Sequence, residues 1–243
     1  MNQKRRKFEV WSAISIALLL AFLLFFVYPI CTLLKQAFTT SESAFTFDNF
    51  IKFFSKPYYY NTIFNSFKVS IAVMLVSLAI GIAFSYFYSF YRLKGAKFLL
   101  VSSILCCMSA PFIGAYAWIL LMGRSGDITL LLKALGIQTG SIYGFGGILL
   151  VQATKLYPLV MIYMNGMFSN LDNSLMEASA NLGCSGFKRF WNVILRLSMP
   201  TVLAAALLVF MRAFADFGTP LLIGEGYRTF PVVLSTEFIN EVG

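Results

Sequence analysis

The sequence predicts an all-α integral membrane protein, and three observations support that fold class. Hydrophobic residues fill 59% of the 243 positions. Charged residues fill only 12%, against about 25% in soluble domains. The run from Val10 to Leu34 holds no charge, and about 20 apolar residues suffice for a helix to cross the hydrocarbon layer. So much apolar surface excludes both a soluble globule and a disordered chain.

The apolar runs predict five membrane-spanning helices, at residues 10–34, 67–91, 98–122, 143–168 and 199–223. The fourth run contains Lys155 and the fifth contains Arg212 and Asp216. We count both as spans because the alternative leaves long apolar segments in water. Pro111 and Gly114 predict a kink in the third span.

The distribution of Lys and Arg predicts a cytoplasmic N-terminus. Basic residues are dense in the segments that this orientation places inside and sparse in the longer outside segments. The predicted inside segments include a basic N-terminus at 1–9 and a loop at 169–198. The predicted outside segments are loops at 35–66 and 123–142 and a final polar stretch at 224–243. The net charge of +9 therefore fits membrane orientation rather than nucleic-acid binding.

The composition excludes several kinds of active site. The chain has no His, which removes Ser-His-Asp and Cys-His nucleophilic sites and most zinc sites. It has no G-x-x-x-x-G-K-[ST] loop to hold ATP. Its four Cys show no metal or redox spacing and are interpreted as packing thiols: Cys31, Cys106, Cys107 and Cys184. We therefore expect neither a catalytic residue nor a cofactor or metal site in this chain.

The 169–198 loop has the strongest local pattern. Ser174 followed by Glu177 is a capping box that opens a short helix through Leu182. Gly183 can supply the left-handed residue that ends it. A second short helix is predicted at about 186–194. Two helices around a glycine turn form a protruding knob that suits docking into a groove on another protein.

This loop resembles the EAA loop of permeases from binding-protein-dependent ABC importers of the type I fold. The shared residues are Glu177-Ala178-Ser179, then Gly183, then Val193-Ile194-Leu195. The chain departs from the family pattern where Ser179 replaces Ala, Val193 replaces Ile and Arg196 replaces Pro. Three further runs resemble the ferric-iron permeases in particular: Pro111 to Trp118, Ser141 to Gly147 and Phe214 to Gly224.

The resemblance implies a transport subunit without enzymatic activity in a prokaryotic inner membrane. In that family two permease halves form the pore, an ATPase dimer holds ATP and Mg and receives the EAA knobs, and an extracytoplasmic binding protein delivers the solute. The positions implied in ATPase coupling are Glu177, Ala178, Ser179, Leu182, Gly183 and Phe187. Each half has a core of about six helices, so five spans imply a truncated chain whose sixth helix is absent. The second half is an identical chain, a paralogue or a fused segment.

Charged and polar residues within the spans allow two interpretations. Arg212, Asp216 and Thr219 follow helical spacing and share one predicted face. Either Arg212 and Asp216 form an intrahelical ion pair that fixes packing, or the face lines the solute path. Likewise Lys155, three residues after Gln152, either extends its amine to the interface or adds positive potential to the path of an anion or chelate.

Other functions remain open on the sequence alone. The 169–198 loop can simply join two spans, with Glu177 as a cap and Gly183 as a helix end. Polyamine, thiamine and phosphonate importers share the general plan, so the solute is not restricted to ferric iron. A fragment of an ion-coupled secondary transporter would need more carboxylates within the spans than Asp216. A membrane-embedded enzyme is disfavoured by the absence of His.

Overall fold

The structure, a computed structural model, describes residues 3–39, 45–91, 94–137, 140–181, 183–184 and 186–242. The chain divides into two compact units, Met1–Tyr60 and Asn61–Gly243. The helices of the first unit are α1 Gln3–Phe22, a π-helical turn Leu23–Val27, α2 Tyr28–Ala37 and α3 Asp48–Ser55. The long helix α4, Pro57–Phe90, begins in this unit and continues through the second.

The first unit contains an apolar helical run with exposed side chains. Val10–Ala37 has the length and composition of a membrane span, and none of its most apolar window is buried within the protein. Beyond it, a cluster of aromatic rings holds the turn before α3. Phe38 stacks on Phe45 with ring centroids 5.7 Å apart, and the Thr46 N–H donates to the Phe38 carbonyl at 2.9 Å. An apolar surface of this kind is compatible with lipid on all sides.

The second unit contains the remaining helices, joined by short turns. They are α5 Ala96–Met108, α6 Pro111–Met122, α7 Asp127–Ala134, α8 Phe145–Ser169, α9 Asn173–Asn181, α10 Gly186–Arg189, a π-helical turn Phe190–Ile194, α11 Leu195–Leu197, α12 Met199–Ala215, α13 Gly218–Ile223 and α14 Phe230–Val242. Three helices of the described chain are long and apolar enough to cross a membrane, or up to five if each of two bent pairs is one span. The predicted all-α membrane fold is confirmed.

The helix α8 forms the centre of the packed core. Half of the residues in its most apolar 18-residue segment are buried, compared with 28% in the corresponding segment of α4. One face of α8 packs with α4 and α12 around Val73, Val160 and Val209, all fully buried. Another contributes Val151 to a smaller cluster with Ala115 of α6 and Ile223 of α13. The intramembrane polar residues of α8 are therefore held by neighbours on several sides.

The buried face of α4 is made mostly of small residues. Its buried positions are Thr62, Ser66, Val69, Ser70, Val73, Ser77, Gly81 and Ser85. Small side chains let helix backbones approach closely, which is how membrane helices associate when lipid offers no hydrophobic driving force. The closest approach is at Gly81, where a Cβ atom would lie 2.5 Å from the Val160 Cβ and 2.8 Å from the Tyr157 carbonyl oxygen.

Two predicted spans are broken rather than continuous. The third predicted span divides at Ser109 and Ala110 into α5 and a following helical segment, and the axes differ by 109°. The sequence predicted only a kink there. The fifth predicted span divides into α12 and α13, because Asp216 adopts an extended conformation with ψ of 118°. Residues at helical spacing on the two sides of either break therefore do not share one helical face.

The final stretch packs against the start of α4. We predicted 224–243 as a polar outside segment without assigning it a helix, and the structure makes Phe230–Val242 helical. The Phe230 N–H donates to the Ser66 hydroxyl at 2.8 Å, and the Asn65 amide donates to the Arg228 carbonyl at 3.1 Å. These bonds satisfy backbone groups of the turn that leads into α14.

The tight contact at Gly81 yields a stability prediction. Gly81→Ala should lower the melting temperature in detergent, since overpacking costs about 1–3 kcal/mol and outweighs the roughly 1 kcal/mol helical gain of Ala over Gly. Gly166→Ala on α8 is the matched control, because nothing lies within 4 Å of the added Cβ atom. The control should leave the melting temperature unchanged or raise it. Equal increases for both variants would contradict the close packing of α4 on α8.

Candidate functional site

The motif loop begins with an aspartate cap rather than the predicted serine cap. The helix α9 starts at Asn173, so Ser174 lies inside it and cannot be its cap. The Asp172 Oδ1 accepts the Ser174 N–H at 2.9 Å, which satisfies a backbone donor that the helix leaves free. Bonding to Ser174 also lowers the pKa of Asp172 below its ordinary value, because it favours the ionised carboxylate. The predicted Ser174–Glu177 capping box is therefore wrong in its first member.

The end of α9 follows the prediction for Gly183. Gly183 has a φ of +78°, in the left-handed region that glycine occupies without strain. The Cys184 N–H donates to the Ser179 carbonyl at 3.0 Å, the six-to-one bond that closes a Schellman turn. Leu182, which we also predicted as a coupling residue, lies outside the described residues. The glycine turn between the two loop helices is confirmed.

The motif residues differ in exposure. Glu177 and Ala178 are exposed, whereas Ser179 is buried. On the second helix Phe187 is 77% exposed and stacks on the ring of Trp191, with centroids 6.0 Å apart. The knob thus presents one carboxylate and two aromatic rings to its surroundings.

The second loop helix is anchored in the core. It runs from Gly186 to Leu197, slightly beyond the predicted 186–194. Ile194 is 2% exposed and belongs to the core cluster shared by α4, α8 and α12. Phe190 packs edge-on against Tyr86 of α4 at 4.8 Å between ring centroids. The Arg189 guanidinium donates to the Cys184 carbonyl at 3.1 Å and fixes the turn that precedes this helix.

A second feature lies within the predicted spans, at an open cavity of about 480 Å³. Its polar lining residues are Lys155 of α8, Arg212 of α12 and Asp216, with Cys107 of α5 beside them. The other lining residues are apolar: Leu156, Leu208, Met211, Ala215 and Phe217. The structure therefore brings three of the five predicted pathway residues to one cavity.

Asp216 is held by four hydrogen bonds at the break between α12 and α13. Its Oδ2 accepts the Thr219 hydroxyl at 2.7 Å and the Gln152 amide at 3.2 Å. Its Oδ1 accepts the backbone N–H groups of Gly218 and Thr219 at 3.1 and 3.4 Å. The remaining two predicted pathway residues, Gln152 and Thr219, are fully buried and hold this carboxylate.

The predicted relation between Arg212 and Asp216 is wrong in two respects. The helix ends at Ala215, so the spacing of Arg212, Asp216 and Thr219 does not place them on one helical face. The intrahelical ion pair, one of the two interpretations offered for these residues, is also not found in the described part of the chain, where the ion pair joins Arg124 to Glu225. The physical reason is that Asp216 serves as a cap for the first turn of α13.

The sequence analysis missed three features of the site. It interpreted Cys107 as an inert packing thiol, yet Cys107 lines the cavity. It did not single out Asp172, although Asp two residues before Ser174 is a strong cap signal. It also missed the exposed Arg124–Glu225 pair, whose guanidinium lies 5.3 Å from the centre of the Tyr143 ring. No sequence signal links residues that are so distant along the chain.

Across the part of the chain that the structure describes, no group of three or more Cys, Asp or Glu is placed to hold a metal ion.

The capping role of Asp216 yields a second prediction. Asp216→Asn should lower the free energy of unfolding by about 1.5–3 kcal/mol. The substitution replaces one accepting oxygen by an NH₂ group, which cannot accept the hydrogen bonds that this oxygen receives. Thr219→Val should cost about 1 kcal/mol through loss of one bond. Arg212→Gln is the control and should melt like the parent protein. Thermal unfolding in detergent measures all three, and a parent-like Asp216→Asn would contradict the capping role.

The comparisons with known proteins indicate one family of transport proteins. The profile described as "Binding-protein-dependent transport system inner membrane component" matches residues 81–241. The chain is 30% identical over 223 residues to the ferric transport system permease protein FbpB of Actinobacillus pleuropneumoniae, covering 91% of this chain and 32% of that one. It is 28% identical to the spermidine/putrescine transport system permease protein PotB of Haemophilus influenzae, covering 93% of this chain and 82% of that one. It spans about a third of the length of the ferric relatives it matches.

Solved structures agree on the fold. A chain of the bacterial alginate ABC transporter, crystallised in complex with an alginate pentasaccharide-bound periplasmic protein, superposes with a TM-score of 0.72 at 15% identity. The match covers 94% of this chain and 81% of that chain. With the family profile covering residues 81–241, these findings show that the chain is a member of the binding-protein-dependent transport system inner membrane component family.

Proposed function

We propose that this chain is a transmembrane permease of an ATP-driven solute importer and that it imports a ferric-iron complex. A separate ATPase dimer holds ATP and Mg and hydrolyses the nucleotide. A second permease half completes the pore, and an extracytoplasmic binding protein delivers the solute. The chain lies in a prokaryotic inner membrane with its N-terminus in the cytoplasm.

The geometry of the motif loop carries this proposal. Glu177 and Ala178 are exposed on a short helix, and Gly183 turns the chain directly into a second helix with exposed Phe187. Apolar side chains exposed outside a predicted lipid zone favour an interaction with another protein. An exposed carboxylate and two exposed aromatic rings on the same loop suit a groove with both basic and apolar groups.

The anchoring of the loop supports a mechanical coupling role. Ile194 is packed into the core cluster, and Phe190 contacts Tyr86 of α4. A displacement of the knob by the ATPase is therefore passed to α4, α8 and α12 together, since tightly packed interiors transmit strain. Closure and opening of the ATPase dimer then reorient the helices that line the solute path.

The cavity lined by Lys155, Arg212 and Asp216 is proposed as part of that path. Ionisable residues within membrane spans commonly mark a solute or ion path because they are costly there. Gln152 and Thr219 have a supporting role, as they hold the Asp216 carboxylate in place.

The choice of solute rests on the relatives. The similarity to a ferric permease at 30% identity favours ferric iron, whereas the spermidine/putrescine permease matches over a larger share of its own length. Polyamine import is therefore the alternative. Thiamine and phosphonate are further candidate solutes, because their importers share the same general plan. The choice also depends on the charges of the cavity, to which Lys155 and Arg212 contribute two cations.

The docking role of Glu177 is tested by charge reversal. Glu177→Arg should abolish co-purification of the ATPase subunit and stop ATP-dependent uptake, because it replaces the exposed carboxylate with a cation. Asn192→Arg introduces the same cationic side chain at another exposed position of the loop and should preserve both. Pull-down of the ATPase with a tagged permease and uptake of radioactive iron measure the two effects. Normal assembly and uptake in Glu177→Arg would refute the docking assignment.

The apolar part of the docking surface has its own test. Phe187→Ala should reduce coupled ATP hydrolysis at least about tenfold if this ring fills a hot-spot pocket on the ATPase, where truncation commonly costs 2 kcal/mol or more. The melting temperature should not change, because Phe187 is exposed. Leu203→Ala removes an apolar side chain of similar exposure from α12 and should retain full ATPase coupling. Equal activity in the two variants would exclude Phe187 from the docking surface.

A further inference from the structure

The cavity lined by Lys155 and Arg212 has an unbalanced charge. Neither cation forms an ion pair or a side-chain hydrogen bond with any residue that the structure describes. Most of the remaining lining is apolar. Cations in an apolar setting within the membrane are stable only where a counter-charge or water reaches them.

The nearby Asp216 carboxylate forms no ion pair with either cation and can balance only one of the two positive charges. All four bonds to Asp216 come from uncharged donors, namely the Gln152 amide, the Thr219 hydroxyl and two backbone N–H groups. Its two oxygens are therefore engaged by Gln152 of α8 and by the first turn of α13. The cavity holds two cations and one anion whose hydrogen-bonding capacity is already largely used.

The two cations are also close to each other along the helices. The Gln152–Asp216 bond ties the first half of α8 to the end of α12. Lys155 lies three residues beyond Gln152, and Arg212 lies four residues before Asp216. At a rise of 1.5 Å per residue, Lys155 lies about 4.5 Å and Arg212 about 6 Å along the chain from that bond, and both line the same cavity.

We propose that this cavity receives a multivalent anion, either free or as the outer shell of a chelated metal ion, and excludes free polycations. Lys155 and Arg212 contact the anion, with the planar guanidinium of Arg212 suited to a carboxylate or oxyanion edge. This inference rests on the proposed transport function and narrows its solute to anionic complexes. It disfavours polyamines, because two fixed cations repel a linear tetra-amine or tri-amine.

Cys107 provides a reporter inside the cavity. We would keep Cys107 and replace Cys31, Cys106 and Cys184 by Ser in the full chain. The thiol would then be reacted in membranes with the anionic sulfonatoethyl and the cationic trimethylammonioethyl methanethiosulfonates. The ratio of the two rates, divided by the same ratio for free cysteine, reports the potential at the cavity independently of transport.

We expect this normalised ratio to favour the anionic reagent by about tenfold or more, since clefts lined by one sign of charge raise local counter-ion concentration by that factor. Lys155→Gln combined with Arg212→Gln should return it to about one. Asn192→Arg, which adds a cation far from the cavity in sequence, should not change it. A ratio of one or below in the parent chain would overturn the proposal.

Protection experiments then identify the source of the anion. Citrate alone, ferric citrate and spermidine would be added separately at millimolar concentration before labelling. Protection by citrate alone indicates a free anion, and protection by ferric citrate only indicates a chelated metal; both support the proposal. Protection by spermidine without protection by either citrate form would overturn it. If uptake survives Glu177→Arg while the charge ratio holds, the ATPase-docking assignment fails and the anion site stands.

Discussion

Every backbone polar group that this chain carries into the hydrocarbon layer needs a partner from the protein, because lipid supplies none. Asp216 shows the consequence most clearly. The chain breaks its helix before this residue, and the carboxylate then accepts the backbone N–H groups that the next helix leaves free. The Gln152 amide bonds to the same carboxylate and ties α8 to the break. One side chain thus permits an irregular backbone inside a membrane domain.

The same constraint explains how the charges are distributed. Asp216 bonds to uncharged donors rather than to Arg212 or Lys155, and both cations line an open cavity rather than a packed interior. The same two helices, α8 and α12, also contribute Val160 and Val209 to the core cluster. The loop residue Ile194 belongs to this cluster as well. The motif loop and the cavity therefore share two helices, which gives the proposed coupling a direct mechanical route.

Sequence reasoning was most accurate where the determinants are local. The fold class follows from apolar runs, and the end of α9 follows from the one residue, Gly183, that adopts a left-handed backbone without strain. The start of α9 was misplaced, because Ser174 and Asp172 are both good caps and only the structure decides between them.

The intramembrane site could be predicted only in part. Gln152, Asp216 and Thr219 meet through hydrogen bonds rather than along one helix, and Lys155 and Arg212 line the cavity with Asp216. Helical periodicity assumes an unbroken helix, and the break before Asp216 removes that assumption. The role of Cys107 needed the packing of α5 beside α8 and α12, which no spacing in the sequence encodes.

The central claim is that the exposed loop around Ala178 faces the cytoplasm and is covered by a separate ATPase. Ala178→Cys, in a chain otherwise lacking Cys, would be reacted with a membrane-impermeant maleimide in inside-out and in right-side-out vesicles. The account predicts labelling only in inside-out vesicles, and loss of that labelling when the purified ATPase subunit is added back. Labelling from the outer side, or labelling that the ATPase does not affect, would contradict it.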